Sequence, residues 1–344
     1  MDLFQTPSTN SGTYDITAGP DGALWFAEQT NARIGKVTAD GKSFAEYGNL
    51  PLGANPTGIT VGPDNNIWFT EGGEWDPNAH SVGPGKKIGR MSLSGQMIAE
   101  YTTPSAPSGP QGITTGPDGN IWFAETYANN IARFNVSTGT FTEWKMPKTV
   151  KYGGACSPRG VTAGPDGAVW FTEFACNIIG RIDSSGNLTE FQLKTATAQP
   201  LGIAVGPDHA LWFTEWGDSK IGRLTTEGNL NEWALPSGHH NPQEIVAGPD
   251  GAMWFTERVD PRIGRITMMG SISEHLLPNG AGSYAQPLGI ANGPDGNVWF
   301  TDFMQQVGRV NVKVWDAALG PAPMPPRQAP PPPAAPSVTW RQRQ

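Results

Sequence analysis

The chain has 344 residues, among them 44 Gly, 32 Pro and 13 Trp, and only 16% of its residues are charged. Its 37% of hydrophobic residues can build a large core, but its apolar runs are far shorter than the ~20 residues of a membrane-spanning helix, so we expect no integral membrane protein. A formal net charge of -8 argues against nucleic acid or an anionic membrane surface as the main partner.

The chain starts with Met1 and the segment Asp-Leu-Phe-Gln-Thr-Pro, which predicts one short β-strand. This segment has neither the basic nor the apolar region of a secretory signal peptide. The compartment stays open: we expect a cytoplasmic protein by default, and a secreted one if the two cysteines form a disulfide.

One motif recurs along the sequence: Pro-x-Gly-Ile-x-x-Gly-Pro-Asp-Gly-x-x-Trp-Phe-Thr-Glu. Its tryptophans follow one another at intervals of 42 to 54 residues, as Trp25, Trp68, Trp122, Trp170, Trp212, Trp254 and Trp299. Seven copies of about 45 residues fit residues 1–315, and a four-stranded propeller blade has this length. The repeat therefore predicts an all-β protein, a seven-bladed β-propeller of four-stranded antiparallel blades.

Each copy of the motif predicts the strands of one blade. A β-branched run such as Gly58 to Val61 suits an inner strand, and Gly-Pro-Asp-Gly supplies the chemistry of a tight turn. In the second strand, Trp and Phe point to opposite faces, so each is expected to pack against a different neighbouring sheet. A third strand contains Ile-Gly-Arg, and a fourth contains Glu next to an aromatic residue.

The first segment of the chain provides a way to close the ring. Leu3 to Thr6 resembles a fourth strand with no blade before it, while the seventh repeat supplies three strands and then runs into Val314 and Trp315. Pairing the two ends removes the open edge between the first and last blades, whereas a linear solenoid would leave two edges to cap. We predict a ring closed by the N-terminal strand, and a monomer.

Residues 316–344 differ in composition from the rest of the chain, with a run that includes Pro-Pro-Pro-Pro. They predict an extended polyproline segment, separate from the propeller domain of residues 1–315. Such a segment is a disordered Pro-rich tail, a spacer or a ligand for a Pro-recognising module.

The residues at the entrance of each predicted first strand form a mixed ring around the central channel. They are Tyr14, Thr57, Gln111, Arg159, Leu201, Gln243 and Leu288. A residue with a purely structural role would be the same in every blade, so this variation favours contact with a small-molecule or glycan ligand at the channel mouth. Neutral sequence drift at solvent-exposed positions would produce the same variation.

An acidic residue closes the second strand of every blade. The seven acids are Glu28, Glu71, Glu125, Glu173, Glu215, Glu257 and Asp302. They could form a cation-binding crown, but a residue repeated in every blade is better explained as part of the frame. In that role we expect them to accept backbone N–H groups or to face the basic residue of the third strand.

Two further groups of residues near the channel entrances could have a chemical or structural role: a histidine close to a carboxylate, and a pair of cysteines. His240, preceded by His239, lies before Pro242 and near Glu244 in the sequence. A histidine beside a carboxylate is the best candidate for a general base. The alternative is that these paired loop histidines are simply exposed to solvent. Cys156 and Cys176 are expected on one face of blade four, where they form either a disulfide or two buried thiols.

The run Gly-Ile-Thr-x-Gly-Pro-Asp-Gly-x-x-Trp-Phe-Thr-Glu, followed by Ile-Gly-Arg and a Thr-Glu-Phe or Thr-Glu-Trp strand, resembles the virginiamycin B lyase (streptogramin B lyase) family over about residues 1–315. The resemblance implies a propeller that linearises cyclic depsipeptide antibiotics by elimination across an ester linkage, with Mg²⁺ as cofactor and without hydrolysis.

The positions that carry the family's chemistry are substituted here. The two family histidines correspond to Gln243 and Leu288, and the family carboxylate before the seventh-repeat proline corresponds to Gln286. Neither Gln nor Leu takes a proton at neutral pH, and an uncharged Gln weakens a Mg²⁺ site. Two hypotheses follow: a propeller that binds a ligand without turnover at a mouth that includes Gln286, or a lyase in which His240 and Glu244 replace the absent groups.

Overall fold

The computed structural model describes residues 1–48, 50–51, 54–72, 75–76, 81–82, 86–147, 155–236, 240–278 and 285–315. The Pro-rich segment 316–344 and His239 lie outside the described residues. Within the described ranges, the structure contains no helix with the length and apolar character needed to cross a membrane.

The described chain consists almost entirely of short antiparallel strands. The first, β1 (Asp2–Gln5), precedes blade one, which contains β2 (Thr13–Ala18), β3 (Ala23–Glu28), β4 (Arg33–Thr38) and β5 (Phe44–Tyr47). Blade two starts with β6 (Pro56–Val61) and β7 (Ile67–Glu71), continues after a hairpin of β8 (Trp75–Asp76) and β9 (Ser81–Val82), and ends with β10 (Lys87–Met91) and β11 (Met97–Thr102). Blade three contains β12 (Pro110–Thr115), β13 (Ile121–Glu125), β14 (Asn130–Asn135) and β15 (Thr140–Lys145).

The second half of the chain repeats the same arrangement. Blade four contains β16 (Pro158–Ala163), β17 (Val169–Glu173), β18 (Ile178–Ile182) and β19 (Leu188–Gln192). Blade five contains β20 (Pro200–Val205), β21 (Leu211–Glu215), β22 (Lys220–Leu224) and β23 (Leu230–Ala234). Blade six contains β24 (Pro242–Ala247), β25 (Met253–Glu257), β26 (Arg262–Ile266) and β27 (Ile272–Leu276). Blade seven contains β28 (Pro287–Asn292), β29 (Val298–Asp302), β30 (Gln306–Val310) and β1, and a short helix α1 (Val312–Trp315) follows.

The seven blades form a closed ring, as the repeat predicted. The first strands of consecutive blades contact one another all the way round, from β2 through to β28 and back to β2. The fold is therefore a seven-bladed β-propeller of four-stranded antiparallel sheets.

The N-terminal strand completes the last blade and confirms the predicted closure. Strand β1 pairs antiparallel with β30, with Asp2 opposite Arg309 and Gln5 opposite Gln306. An ion pair of 2.6 Å between Arg309 Nη2 and Asp2 Oδ2 supports this pairing, and the Phe4 ring stacks on Trp299 with 5.5 Å between the ring centroids.

The repeated aromatic residues hold neighbouring blades together. Trp25 of blade one packs in one buried cluster with Phe69 of blade two, and Trp170 of blade four packs in the same way with Phe213 of blade five. Because Trp and Phe point to opposite faces of a strand, each blade presents one large ring to each neighbour. The sequence prediction of this packing is confirmed.

The basic residues of the third strands bind the turn aspartates, which corrects one expectation. They do not face the acids that close the second strands. The pairs are Lys36–Asp21, Arg90–Asp64, Arg133–Asp118, Arg181–Asp166, Arg223–Asp208, Arg265–Asp250 and Arg309–Asp295. Each turn aspartate also accepts the indole N–H of the tryptophan four residues later, as in Trp122 Nε1 to Asp118 Oδ1 at 2.9 Å.

Candidate functional site

The first strands of the blades surround a central cavity of about 50 Å³. It is lined by Tyr14, Asp15, Thr57, Gly58, Gln111, Gly112, Arg159, Gly160, Leu201, Gln243, Glu244, Leu288 and Gly289. This volume holds only a few water molecules, whereas pockets for drug-sized ligands measure ~300–1,000 Å³. A larger ligand would therefore lie above the cavity, on the loops at the mouth.

The structure brings most of the predicted ligand-binding residues to this cavity. Tyr14, Thr57, Gln111, Arg159, Gln243 and Leu288 all line it, and so does Glu244. Gln286 is not part of the lining. It lies in the loop before Pro287, where its Oε1 accepts hydrogen bonds from Arg258 Nε at 3.0 Å and Nη2 at 2.7 Å.

The lining residues differ in how much polar surface they can offer. Thr57 and Leu288 are buried, and the Thr57 hydroxyl is engaged with the Thr70 hydroxyl at 3.0 Å. Gln243 is also buried and donates from Nε2 to the backbone oxygen of Asn241 at 3.1 Å. The half-exposed polar residues of the ring are Tyr14, Gln111 and Arg159. These three are the groups best placed to meet a ligand.

Arg159 is the main charged residue of the entrance ring. Its Nη1 donates to Gln111 Oε1 at 3.3 Å, and its guanidinium lies 4.8 Å from the centroid of the Phe174 ring. Stacking on an aromatic face fixes the guanidinium plane and strengthens its attraction to the ring. Arg159 is thereby held in a defined orientation at the mouth.

Of the predicted pair, Glu244 lines the cavity and His240 does not. His240 is 5% exposed, its Nδ1 lies 3.1 Å from the backbone oxygen of Val259, and its N–H donates to Ser219 Oγ at 3.0 Å. It occupies the loop position that holds Ala198 in blade five, and it does not line the cavity. This placement argues against His240 as a base that acts on a ligand in the cavity.

Glu244 and Asp15 are the two acids of the channel, and sequence reasoning missed Asp15. The third position of the first-strand motif is glycine in the other five blades, at Gly58, Gly112, Gly160, Gly202 and Gly289. There a Cβ would approach the next blade; at Gly112 it would lie 2.2 Å from the Arg159 carbonyl oxygen. The break in this glycine pattern was the available signal for Asp15.

Burial changes the protonation of both channel acids. It raises the pKa of Glu244 to about 8, and the nearby charge of Asp15 adds to the rise. Burial also raises the pKa of Asp15 to about 6, although this carboxylate accepts N–H groups from Ile59 at 3.0 Å and from Ile16 at 2.8 Å. Near neutral pH, Glu244 is mostly protonated and Asp15 is mostly charged.

The acids that close the second strands belong to the frame. All seven are fully buried and none lines the cavity. Burial raises the pKa of Glu28 and Glu173 to about 8, and a neighbouring fourth-strand glutamate, Glu46 or Glu190, contributes to the rise. The six glutamates are mostly neutral at pH 7, burial also raises the pKa of Asp302, and all seven acids lie away from the channel, so these residues do not form a cation-binding crown.

Cys156 and Cys176 form a disulfide, the first of the two predicted alternatives. The bridge joins the loop before Arg159 to the turn after Phe174. Backbone hydrogen bonds run beside it, from Phe174 N to Ser157 O at 3.3 Å and from Ala175 N to Cys156 O at 3.0 Å. The disulfide therefore lies next to the residues that position Arg159.

The described residues at the mouth do not fit a Mg²⁺ ion. The oxygen of Gln286, at the position of the family carboxylate, already accepts two hydrogen bonds from the cationic Arg258. Among the described residues, the group of potential ligands that converges is Cys156, Glu173 and Cys176, and its two cysteines are bonded to each other. Mg²⁺ prefers carboxylate oxygens, so the donors needed to hold it are not assembled here.

Fold and mouth together define a seven-bladed β-propeller whose variable residues gather at one end of the channel. A model of the virginiamycin B lyase family matches residues 151–331. A solved streptogramin B lyase structure is 36% identical, covers 90% of this chain and 97% of its own, and superposes with a TM-score of 0.79. The chain belongs to the virginiamycin B lyase family.

Two further solved structures are equally similar. Selenomethionine-substituted virginiamycin B lyase from Staphylococcus aureus is 35% identical, with coverage of 90% and 97% and a TM-score of 0.79. The same values hold for a catalytically inactive histidine-to-alanine variant of that enzyme with quinupristin. A comparison with curated proteins gave no significant match.

Proposed function

We propose that this protein binds a small-molecule ligand at the mouth of its central channel and does not linearise streptogramins with the residues that the family uses. The observation that carries the proposal is the replacement of proton-accepting groups within an otherwise preserved frame. Gln243 and Leu288 line the cavity, both are buried, and neither can accept a proton. Tyr14, Gln111 and Arg159 remain as half-exposed polar groups.

One observation favours a second candidate, an active lyase. The pKa of Glu244 is about 8, which lies near the operating pH of most enzymes and suits a general base or acid. In such a lyase the ionised form of Glu244 would take a C–H proton beside the ester, the ester C–O bond would break, and the charge of Arg159 would stabilise the carboxylate that leaves. His240, which does not line the cavity, has no part in this version.

Quinupristin separates the two candidates. The protein is incubated with quinupristin, cyclic and linear forms are resolved by chromatography, and binding is measured by calorimetry. Binding without linear product supports the proposal. Linear product that disappears in Glu244→Gln, and persists in the exposed-acid control Glu227→Gln, would establish the lyase instead. If the protein neither binds nor converts quinupristin, binding of the family's ligand class is ruled out.

The disulfide supports a related proposal about the compartment. A bridge between two cysteines persists in an oxidising environment and is rare in a reducing cytosol. We propose that the protein works in an oxidising compartment, because Cys156 and Cys176 are bonded to each other.

A further inference from the structure

Two arginines at the mouth differ from the other arginines of the described chain. Eight arginines form an ion pair with a described carboxylate: Arg33, Arg90, Arg133, Arg181, Arg223, Arg262, Arg265 and Arg309. Arg159 and Arg258 have no such pair among the described residues. Their hydrogen bonds go to the neutral amide oxygens of Gln111 and Gln286. The chain has a net charge of -8, yet these two arginines at the mouth lack a carboxylate partner among the described residues. This arrangement indicates a binding site for an anionic ligand.

Aromatic residues accompany these arginines on one side of the mouth. The residue after the second-strand acid is Phe174 in blade four, Trp216 in blade five, Arg258 in blade six and Phe303 in blade seven. In blades one to three the same position holds Gln29, Gly72 and Thr126. We call Arg159, Phe174, Trp216 and Arg258 the mouth arc. The channel mouth is thus asymmetric, although the frame below it is repetitive.

Three members of the mouth arc, Arg159, Phe174 and Trp216, form a continuous row of contacts. The Arg159 guanidinium stacks on Phe174 at 4.8 Å, and Phe174 packs at 52° against Trp216, with 5.9 Å between the ring centroids. Both aromatic side chains are half-buried, so each keeps a free part of its surface. The buried Nε of Arg159 has no acceptor among the described residues. Phe174 and Trp216 therefore offer a flat apolar surface beside the oriented hydrogen-bond donors of the Arg159 guanidinium.

The channel acids do not cancel the charge of the arc. Burial raises the pKa of Tyr14, and both Arg159 and Arg258 lie close enough to its hydroxyl to oppose that rise. Of the two acids below, Glu244 is mostly protonated near neutral pH, which leaves Asp15 as the principal negative charge. Two guanidinium groups therefore outweigh one carboxylate at the mouth.

We infer that the mouth arc binds an organic anion in which a carboxylate lies next to a flat aromatic group. The carboxylate would meet the guanidinium of Arg159, with Arg258 adding positive charge, and the aromatic group would pack on Phe174 and Trp216. This inference rests on the proposed function, because it names the class of ligand that the mouth binds.

The test uses three related probes on the full-length protein. N-acetyltryptophan carries both features, N-acetyltryptophanamide lacks the negative charge, and N-acetylglycine lacks the ring. We expect calorimetry at low salt to show the first probe binding about 10-fold or more tightly than either of the others. Added salt should weaken the binding of the acid and leave that of the amide unchanged.

Variants assign the effect to the arc. Arg159→Gln should weaken the binding of N-acetyltryptophan about 10-fold or more and leave that of its amide unchanged, while Arg159→Lys should keep part of the preference for the acid. Phe174→Leu should reduce the advantage over N-acetylglycine. Lys42→Gln removes one positive charge from an exposed turn and serves as the matched control, and thermal unfolding verifies that each variant is folded.

Several outcomes would overturn the inference. Equal affinity for the acid and its amide, full binding by Arg159→Gln, or no binding of the acid would each do so. If quinupristin binds while the acid has no advantage over the amide, the ligand class is wrong and binding at the mouth stands. If neither quinupristin nor the acid binds, both the inference and the proposed function fail.

Discussion

At the residue scale, the side chains that interrupt the repeat lie in two different environments. Asp15 and Glu244 replace glycines and extend into the channel, whereas His240 replaces a small loop residue and is buried beside Val259. Both kinds of exception look alike in the sequence. Their different surroundings give them different expected roles, one toward a ligand and one toward stability.

Substitutions at His240 and Glu244 should separate these roles. His240→Ala removes a buried hydrogen bond to Val259, so we expect the free energy of unfolding to fall by about 1–3 kcal/mol, with ligand binding at the mouth unchanged. Glu244→Gln should alter the pH dependence of binding without a comparable loss of stability. Urea unfolding and calorimetry on both variants test this, and a binding defect in His240→Ala with unchanged stability would contradict it.

The sequence predicted which residues surround the channel but not how each side chain is used. The repeat register alone placed Tyr14, Gln111 and Arg159 at the cavity, because each residue of a strand has a fixed place in a blade. It did not reveal that Arg258 binds Gln286, since both residues lie in loops whose conformation the repeat does not determine. Asp15 was missed for another reason: the entrance ring is defined by the second residue of each first strand, whereas the departure from glycine falls at the third.

At the element scale, threonine hydroxyls join neighbouring blades beside the channel. Thr214 Oγ1 accepts the N–H of Gly202 at 2.9 Å and donates to the backbone oxygen of Gln243 in the next blade at 2.7 Å. The same bridge runs from Thr172 Oγ1 to Leu201 O at 2.8 Å. One hydroxyl thus satisfies two backbone groups and connects two sheets.

Thr214→Val should show the value of this bridge. Valine has nearly the same shape but cannot form hydrogen bonds, so two backbone groups at the channel lose their partner, and we expect a loss of about 1–3 kcal/mol in the free energy of unfolding. Thr214→Ser keeps the hydroxyl and is the control. Equal stability of the valine and serine variants in urea unfolding would show that the bridge contributes nothing.

The disulfide is a second local connection with a measurable effect. It closes a loop with a sequence separation of 20 residues, and loops of this size gain about 3 kcal/mol from cross-linking in the chain-entropy model. We expect the double variant Cys156→Ser/Cys176→Ser to stay folded, to unfold at lower urea concentration, and to match wild-type protein measured under reducing conditions. A wild-type protein insensitive to reductant and equal in stability to the double variant would contradict this.

At the scale of the whole molecule, repeated buried carboxyl groups should determine the pH dependence of stability. Burial raises the pKa of Glu215 from its ordinary value of 4.5 to about 8, and that of Glu257 to about 9, with the fourth-strand glutamates Glu232 and Glu274 adding to the rise. Similar values hold for Glu28, Glu71, Glu125 and Glu173. The folded protein thus holds several protons that the unfolded chain releases.

The sign of the effect follows from this difference in protonation. Below 4.5 both states hold the protons, and as the pH rises toward 8 the unfolded chain ionises first, so stability is lost progressively across this window. We expect urea unfolding to give a higher stability at about pH 5.5 than at about pH 8.5. Glu215→Gln should flatten the dependence, and the exposed control Glu227→Gln should not; a stability that rises across the window would contradict the argument.

The turn aspartates act in the opposite direction at lower pH. Although Asp166 is partly buried, hydrogen bonds from Trp170 and Arg181 keep its pKa below the ordinary value of 3.8. Its contribution is present above that value and is lost as the pH falls through the lowered pKa. Together the two sets of carboxyl groups predict a maximum of stability at mildly acidic pH.

Ring closure should also be testable as a property of the whole molecule. Deletion of residues 1–6 removes β1, so β30 loses its pairing partner and Trp299 loses its stack with Phe4. We expect a large drop in the unfolding temperature and association through the exposed strand edge, measured by calorimetry and size-exclusion chromatography. Asp2→Asn removes only the ion pair to Arg309 and should change little.

This closure has a consequence for how the protein is made. Asp2 and the arginine that it contacts are 307 residues apart in the chain. On the ribosome the amino-terminal strand emerges first and must wait, unpaired, until the last blade has been translated. A nascent chain that stalls before β30 therefore leaves β1 unpaired, and the ring can close only after the last blade has been made.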